Sequence, residues 1–486
     1  MSAGTLQERL RIRSDGSVGP GPDGRVVLRE GHMQMPFGPL GPALGGAIEL
    51  LGAEGASEAE LVTHAIDTEG EGSVLKLQIL LRRLHDSGWL DRVLIAPGQD
   101  NGGGGGGPGD ALATLRPIGH TPPPRSPALD LSAPVALSRF AHLRAQDGEA
   151  IVQSPRATAT LVLHEPRLAA LLAGLATPRS PADLEPELAG LGLDQAGSRT
   201  LLRLLGDATL LINPGGEEAE SLVQWSFADL LFHARSRVGR HLGDYGGSYR
   251  LQGSVEPLPA VRPAREPAIA LPRPDPDALS GAQMPLAVAL EQRRSRREHD
   301  PQAPITVAEL GELLHRAARV RSVFRDESQE LSSRPYPGGG ALYELELYPL
   351  IHRCRDLEPG LYHYDPAGHA LGLAAEPGPG PTLLLEYARR TAVIEQNPQV
   401  LLIVAARFGR AMWKYESMAY ALILKDVGVL YQTICLVATG MGLAACPLGG
   451  GHADAFAAAA GLDYYAETSV GELILGRPIP AGATAA

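Results

Sequence analysis

Six consecutive glycines, Gly102 to Gly107, followed by Pro108 and by prolines at 117, 122, 123, 124 and 127, limit what this chain can fold into more than any other feature. Glycine loses the most backbone freedom on ordering, and proline cannot donate to a helix or sheet ladder. The stretch therefore predicts a flexible linker over 99–128 that divides the chain. It is not a phosphate loop. A dinucleotide fingerprint needs a strand before its glycines and a helix after them, and a nucleotide triphosphate loop needs Gly-Lys-Ser/Thr, which occurs nowhere in this sequence.

At 486 residues the chain exceeds one ordinary core, and two or three domains are expected. Before the linker, Leu77, Leu80, Leu81 and Leu84 keep helical spacing, Gly88 stops the helix, and Trp89 to Ile95 reads as a strand. After it, Leu201 to Leu205, then Gly206-Asp207, then Ala208 to Ile212 repeat that order. The repetition predicts two small winged-helix-like modules, 1–98 and 129–215. A helical connector with a second proline-rich linker occupies 216–274. From 275 to 486 short β-rich runs, Leu345 to Ile351, Val400 to Ala405 and Glu472 to Leu475, alternate with helices, so this half reads as an α+β catalytic domain.

Charge and cysteine content exclude several function classes. The net charge is −12, and residues 1–98 carry nine basic against thirteen acidic side chains, which would repel phosphates and argues against a nucleic-acid partner. Such a module can instead take an extended peptide by strand addition. Cys354, Cys435 and Cys446 have neither metal-type spacing nor an even count, so no metal is expected and a reducing cytoplasm is the simplest location. The uncharged run Val427 to Leu448 is long enough for a membrane span, but it follows Lys425-Asp426 directly and ends in a glycine turn. A buried helix in a dimer core, with no membrane partner, is the better expectation.

Three motifs carry chemistry. Arg293-Arg294-Ser295-Arg296-Arg297 follows the apolar helical segment Leu286 to Leu290 and offers forked donors for a terminal phosphate. Arg334-Pro335-Tyr336-Pro337-Gly338-Gly339-Gly340-Ala341-Leu342-Tyr343 sets three residues without a Cβ side by side, so main-chain amides can approach a flat ligand. Lys414-Tyr415 holds one of only three lysines among 43 basic residues, the others being Lys76 and Lys425. Where charge alone suffices this chain uses arginine, and a retained lysine suits a site needing an amine that can lose its proton.

Together with Leu357 to Pro366 and the carboxyl-terminal Gly476-Arg477-Pro478, these motifs resemble nitroreductase-fold flavoproteins. More narrowly they resemble the SagB-type and cyanobactin-oxidase-type azoline dehydrogenases, which mature thiazole- and oxazole-containing peptides. The resemblance is strong over about 275–480, moderate over 216–250 and only architectural over 1–215. It implies an FMN cofactor, with Arg293, Arg294, Ser295 and Arg297 on the phosphate and ribityl chain. Pro337, Gly338, Gly339 and Gly340 would line the flavin ring, Gly449 and Gly450 form a later loop approaching it, and Arg477 lie on the phosphate side. It further implies a homodimer with the flavin across the subunit boundary, an azoline-containing precursor peptide as substrate, a possible cyclodehydratase partner, and amino-terminal modules that handle the leader peptide. This chain departs from the pattern at Gly338, where serine is frequent, at Glu344, where proline is common, and at Ala421, where an arginine often follows tyrosine.

Within that family Lys414-Tyr415 matches the catalytic lysine-tyrosine pair. Aromatising an azoline removes a proton from one ring carbon and a hydride from its neighbour, so a base must stand beside a hydride acceptor. A free tyrosine ionises near about 10, and an adjacent ammonium lowers such a value by roughly 1–3, toward the range of general bases. Tyr415 is assigned the base and Lys414 the tuning or relay role, the reverse assignment remaining open. Two other readings stand beside this one: a nicotinamide-dependent nitro- or quinone reductase of the same fold, and a non-catalytic scaffold that recruits a precursor peptide.

Overall fold

The computed structural model describes residues 5–13, 16–20, 25–30, 33–52, 54–96, 111–118, 128–157, 159–241, 243–275 and 284–480, so the six-glycine run lies outside the described residues. The chain forms two compact units, Met1–Tyr245 and Gly246–Ala486.

The first unit is built on one six-stranded antiparallel sheet. Its strands lie in the order Gln7–Ile12, Leu90–Ile95, Ala111–Pro117, Ala159–Leu163, Glu149–Gln153 and His142–Gln146. The helices Pro42–Gly52, Glu58–Glu69 and Ser73–Asp86 pack through Leu51, Leu61, Leu77 and Leu84 into one core. The expected helix, stop and strand around Gly88 are present, with Gly88 at φ +69° ending the helix. The helices Pro166–Gly174 and Gln195–Asp207 contribute Leu168, Leu172, Leu201 and Leu205 to a second core.

Two expectations are corrected here. The linker expected over 99–128 contains the strand Ala111–Pro117, which pairs with strands from both sides of the glycine run. Ala111, Leu112, Ala113 and Leu115 are buried there, so the short apolar run outweighs its glycine and proline flanks. One sheet consequently runs through what the sequence divides into modules at 98 and 129. Gly206 is also not a stop: it lies inside the helix, where a Cβ would come within 2.7 Å of the Leu129 Cβ, and the strand after it shrinks to Leu211–Ile212.

The second unit is α+β. Its seven-stranded antiparallel sheet has the order Ala268–Ala270, Ala370–Ala375, Gly360–Asp365, Leu345–Ile351, Val400–Arg407, Glu467–Gly476 and Ala444–Leu448. All eight residues of Val400–Arg407 are buried because both faces are covered. Val400, Leu402 and Val404 join the core beneath the helices Val307–Ala318 and Ala419–Gly440, while Leu401, Ile403 and Ala405 meet the helices Pro379–Ala392 and Ala453–Ala460. Each fully buried leucine contributes about 1.5–3 kcal/mol.

Among the described residues one helix, Ala419–Gly440, is long and apolar enough to cross a membrane. It buries Ile423, Val427, Leu430, Ile434 and Ala438 in the core instead. The uncharged run Val427 to Leu448 is therefore not one helix. It breaks at Gly440 to Gly442, with Gly442 at φ +70°, and continues as the edge strand Ala444–Leu448.

Candidate active site

The glycine turn sits on the first third of the long helix. Gly340 adopts φ +62°, and Ala341 and Tyr343 follow at +57° and +49°. Left-handed backbone at non-glycine residues costs about 1–2 kcal/mol each, so this segment keeps its shape only because its surroundings hold it. Arg334 donates to the Leu345 and Tyr343 carbonyls at 3.3 and 3.4 Å. Arg410, fully buried, donates to the Leu342 carbonyl at 2.8 Å and to those of Leu258 and Glu330. The Tyr343 hydroxyl donates to the Tyr336 carbonyl at 2.8 Å. The Gly339 amide donates to Asp426 Oδ2 on the long helix at 3.0 Å.

Lys414 and Tyr415 reach this turn from the short helix Phe408–Met412, whose last turn continues through the Tyr415 amide to the Ala411 carbonyl at 2.8 Å. Tyr415 is half-buried, and its hydroxyl lies so close to Gly340 that a Cβ there would overlap it. Lys414 Nζ lies 5.6 Å from the ring centre of Tyr415 and 5.6 Å from that of Tyr249, within the range of cation–π attraction. The segment from Gly246 to Tyr249 is strapped to this corner. Gly246 pairs with Glu416, Ser248 Oγ donates to Glu416 Oε2 at 2.8 Å, and the Tyr249 amide donates to the Lys414 carbonyl. Asp326 faces the same lysine; the Gln329 amide, and to a smaller extent the Lys414 charge, hold its carboxyl below the usual range.

The arginine stretch is placed elsewhere. It leaves the helix Leu286–Gln292 and runs beside the edge strand, with Ser295 bridged to Ala445 and the Arg296 amide donating to the Ala445 carbonyl. The Arg293 charge is felt by Cys435 on the long helix, whose thiol burial pushes up to about 11 against that charge. Asp426 and Cys435 are nine residues apart on one helix, or about 13 Å. The turn and the arginines therefore flank different ends of the same helix, and among the described residues no hydrogen bond joins them.

The remaining expected residues divide further. Arg294 donates to the carbonyls of Glu291 and Arg293. Arg297 lines a cavity of about 410 Å³ with His299, His352 and Arg353. Arg477 is bound to Glu309 at 2.6 Å. Gly449 and Gly450 follow the edge strand with open space where a Cβ would stand. Pro337 precedes the glycine turn. Arginine donors at one end of the helix and, at the other, a glycine turn bordered by the Tyr343, Leu422 and Tyr415 side chains fit a phosphate-bearing, flat-ringed ligand of the FMN kind.

Several residues at this site were not found by sequence reasoning. Arg410, Tyr249, Asp326 and Asp426 had no local motif, Arg334 headed the glycine stretch without being given a role, and Glu344 showed only as a departure from a family pattern. Asp426 did carry one signal, an acid at the border of a long apolar run.

Residues 135–242 match the cyanobactin oxidase ThcOx family, and residues 290–477 match the nitroreductase family. A protein of Methanocaldococcus jannaschii named as a nitroreductase is 30% identical over 160 residues, which are 33% of this chain and 76% of that protein. The chain belongs to the nitroreductase family. This nitroreductase-family chain is also 32% identical over 114 residues to the microcin B17-processing protein McbC of Escherichia coli, covering 23% of itself and 42% of that relative, less than half its length. The solved E. coli microcin synthetase McbBCD complex with truncated pro-MccB17 bound aligns over 51% of this chain and 91% of the other at 20% identity, with a TM-score of 0.33.

Proposed function

We propose that this nitroreductase-family chain is an FMN-dependent azoline oxidase, converting thiazoline or oxazoline rings of a ribosomal precursor peptide to thiazoles or oxazoles. The observation that carries the reading is the Tyr415 hydroxyl set against Gly340, in a chain that also contains a cyanobactin-oxidase segment at 135–242. Likeness to a microcin-processing protein supports the same substrate class.

Bound FMN would supply the hydride acceptor and hand its electrons to dioxygen. Arg293, Ser295 and their neighbours would hold its phosphate, and the Gly338 to Gly340 turn, whose Gly339 amide is taken by Asp426, would border its ring. Tyr415 takes the ring proton at its phenol oxygen, the group that borders the turn. Lys414, with its Nζ 5.6 Å from both the Tyr249 and Tyr415 ring centres, would as an ammonium stabilise negative charge developing on the phenol oxygen, or as the neutral amine relay the proton outward. The strap of Gly246 to Tyr249 fixes the backbone that carries that lysine. The homodimer, the cyclodehydratase partner, a cytoplasmic setting and peptide handling by the amino-terminal unit belong to the same proposal.

The test is mass spectrometry of an azoline-bearing precursor peptide incubated with the FMN-loaded chain in air. Loss of two hydrogens per ring without nicotinamide is the expected result. Oxidation of reduced nicotinamide with nitro or quinone acceptors, and no change in the peptide, would overturn the substrate.

A further inference from the structure

Beneath the glycine turn lie two carboxyls for which the reaction above has no use. Glu344 is 1% exposed and Asp426 6% exposed. Burial raises both carboxyls above their ordinary values, and the two act on each other, at Glu344 by the Asp426 charge and between them by a side-chain hydrogen bond. Asp426 also accepts the Gly339 amide, and Glu344 Oε1 is buried without a protein donor. Two carboxylates cannot share such a space without a proton between them. The surrounding charges do not neutralise the pair directly, because Arg334 and Arg410 spend their donors on main-chain carbonyls. Tyr336 also faces Glu344, and Lys425 faces Asp426.

We propose that Glu344 and Asp426 are a proton-sharing positioning pair that holds the Gly338 to Gly340 turn in its cofactor-binding shape, and that loss of the shared proton releases the Gly339 amide and weakens FMN binding. The inference rests on reading the turn as the flavin wall. With one proton, Glu344 donates to an ionised Asp426, which keeps its charge-assisted bond to Gly339. With none, the carboxylates repel and Asp426 moves from the amide. Burial, then the Asp426 charge, pushes the Glu344 carboxyl up to about 7, and burial raises Asp426 as well. A raised acid contributes its stability fully below its ordinary value, 4.5 for Glu344, and loses it as pH rises through about 7. The hold on the turn should therefore weaken between pH 6 and 8.5.

The experiment titrates FMN onto the flavin-free full chain at pH 6.0, 7.0 and 8.5, reading flavin fluorescence. The wild-type Kd should rise about tenfold across that range. E344Q, whose amide still donates to Asp426, should stay within about twofold, and D426N should bind weakly throughout. A flat wild-type profile, or an E344Q profile parallel to wild type, overturns the pair. Hydrogen exchange of the peptide containing Gly339 in the flavin-free chain gives a second readout. Wild type should exchange faster than E344Q at pH 8.5 and equally at pH 6.0, and equal exchange at both overturns the proposal. Should no FMN bind at any pH, the cofactor reading fails, and exchange alone decides the pair.

Discussion

The Tyr415 hydroxyl occupies the space that a side chain at Gly340 would need. A phenol and a main-chain turn, 75 residues apart in sequence, therefore define each other's position.

Gly340→Ala should destabilise the chain by about 1–3 kcal/mol, combining left-handed strain with the overlap against Tyr415. Adding Tyr415→Phe should restore part of the loss, since the hydroxyl is the nearest atom. A double-mutant cycle by denaturant unfolding measures this; strict additivity would show that the two residues do not touch.

Tyr415→Phe alone should keep the yellow colour and slow azole formation by about 10²–10⁴-fold. Anaerobic single-turnover bleaching of flavin absorbance by an azoline peptide is the measurement. An unchanged bleaching rate would remove Tyr415 from proton transfer.

Lys414→Arg keeps a cation between the Tyr249 and Tyr415 rings but not an amine that readily loses its proton. The rate should fall at least about tenfold with KM little changed. If Lys414→Arg matches wild type across the pH–rate profile, charge alone is needed there.

Arg293→Ala should weaken FMN by about ten- to a hundredfold through loss of a charge-assisted phosphate bond. Riboflavin, which lacks the phosphate, should bind both proteins equally. Equal FMN affinity in a parallel fluorescence titration would place the phosphate away from this stretch.

On the opposite face of the sheet, Glu346 is fully buried between His363 at 2.9 Å and Arg407 at 3.4 Å. Burial raises its carboxyl, but His363, Arg334 and Arg407 outweigh that and hold it at about 2. Its contribution is present above 4.5 and is lost as pH falls toward 2, an effect of order 3 kcal/mol. Unfolding free energies measured between pH 5 and 2.5 should fall in wild type and stay flatter in Glu346→Gln.

Much of the second unit was legible in sequence because its signals are local. Val400 to Ala405 and Glu472 to Leu475 are apolar runs bounded by polar residues, and they appear as strands. Leu286 to Leu290 gave the helix that ends at the arginines. The Glu344–Asp426 pair was not legible, since its members are 82 residues apart and meet only when the long helix lies under the turn. Residues 111–117 were lost to their glycine and proline neighbours, although strand pairing on both sides decides their state. The break in Val427 to Leu448 was missed because an apolar helix and an apolar edge strand share one composition.

Because Ala111–Pro117 is stitched between strands from either side of the glycine run, the amino-terminal unit offers no clean cut point near 98 or 129. A chimera that exchanges the amino-terminal unit should transplant 5–241 as one cassette. Splitting it there would leave ragged sheet edges that invite aggregation.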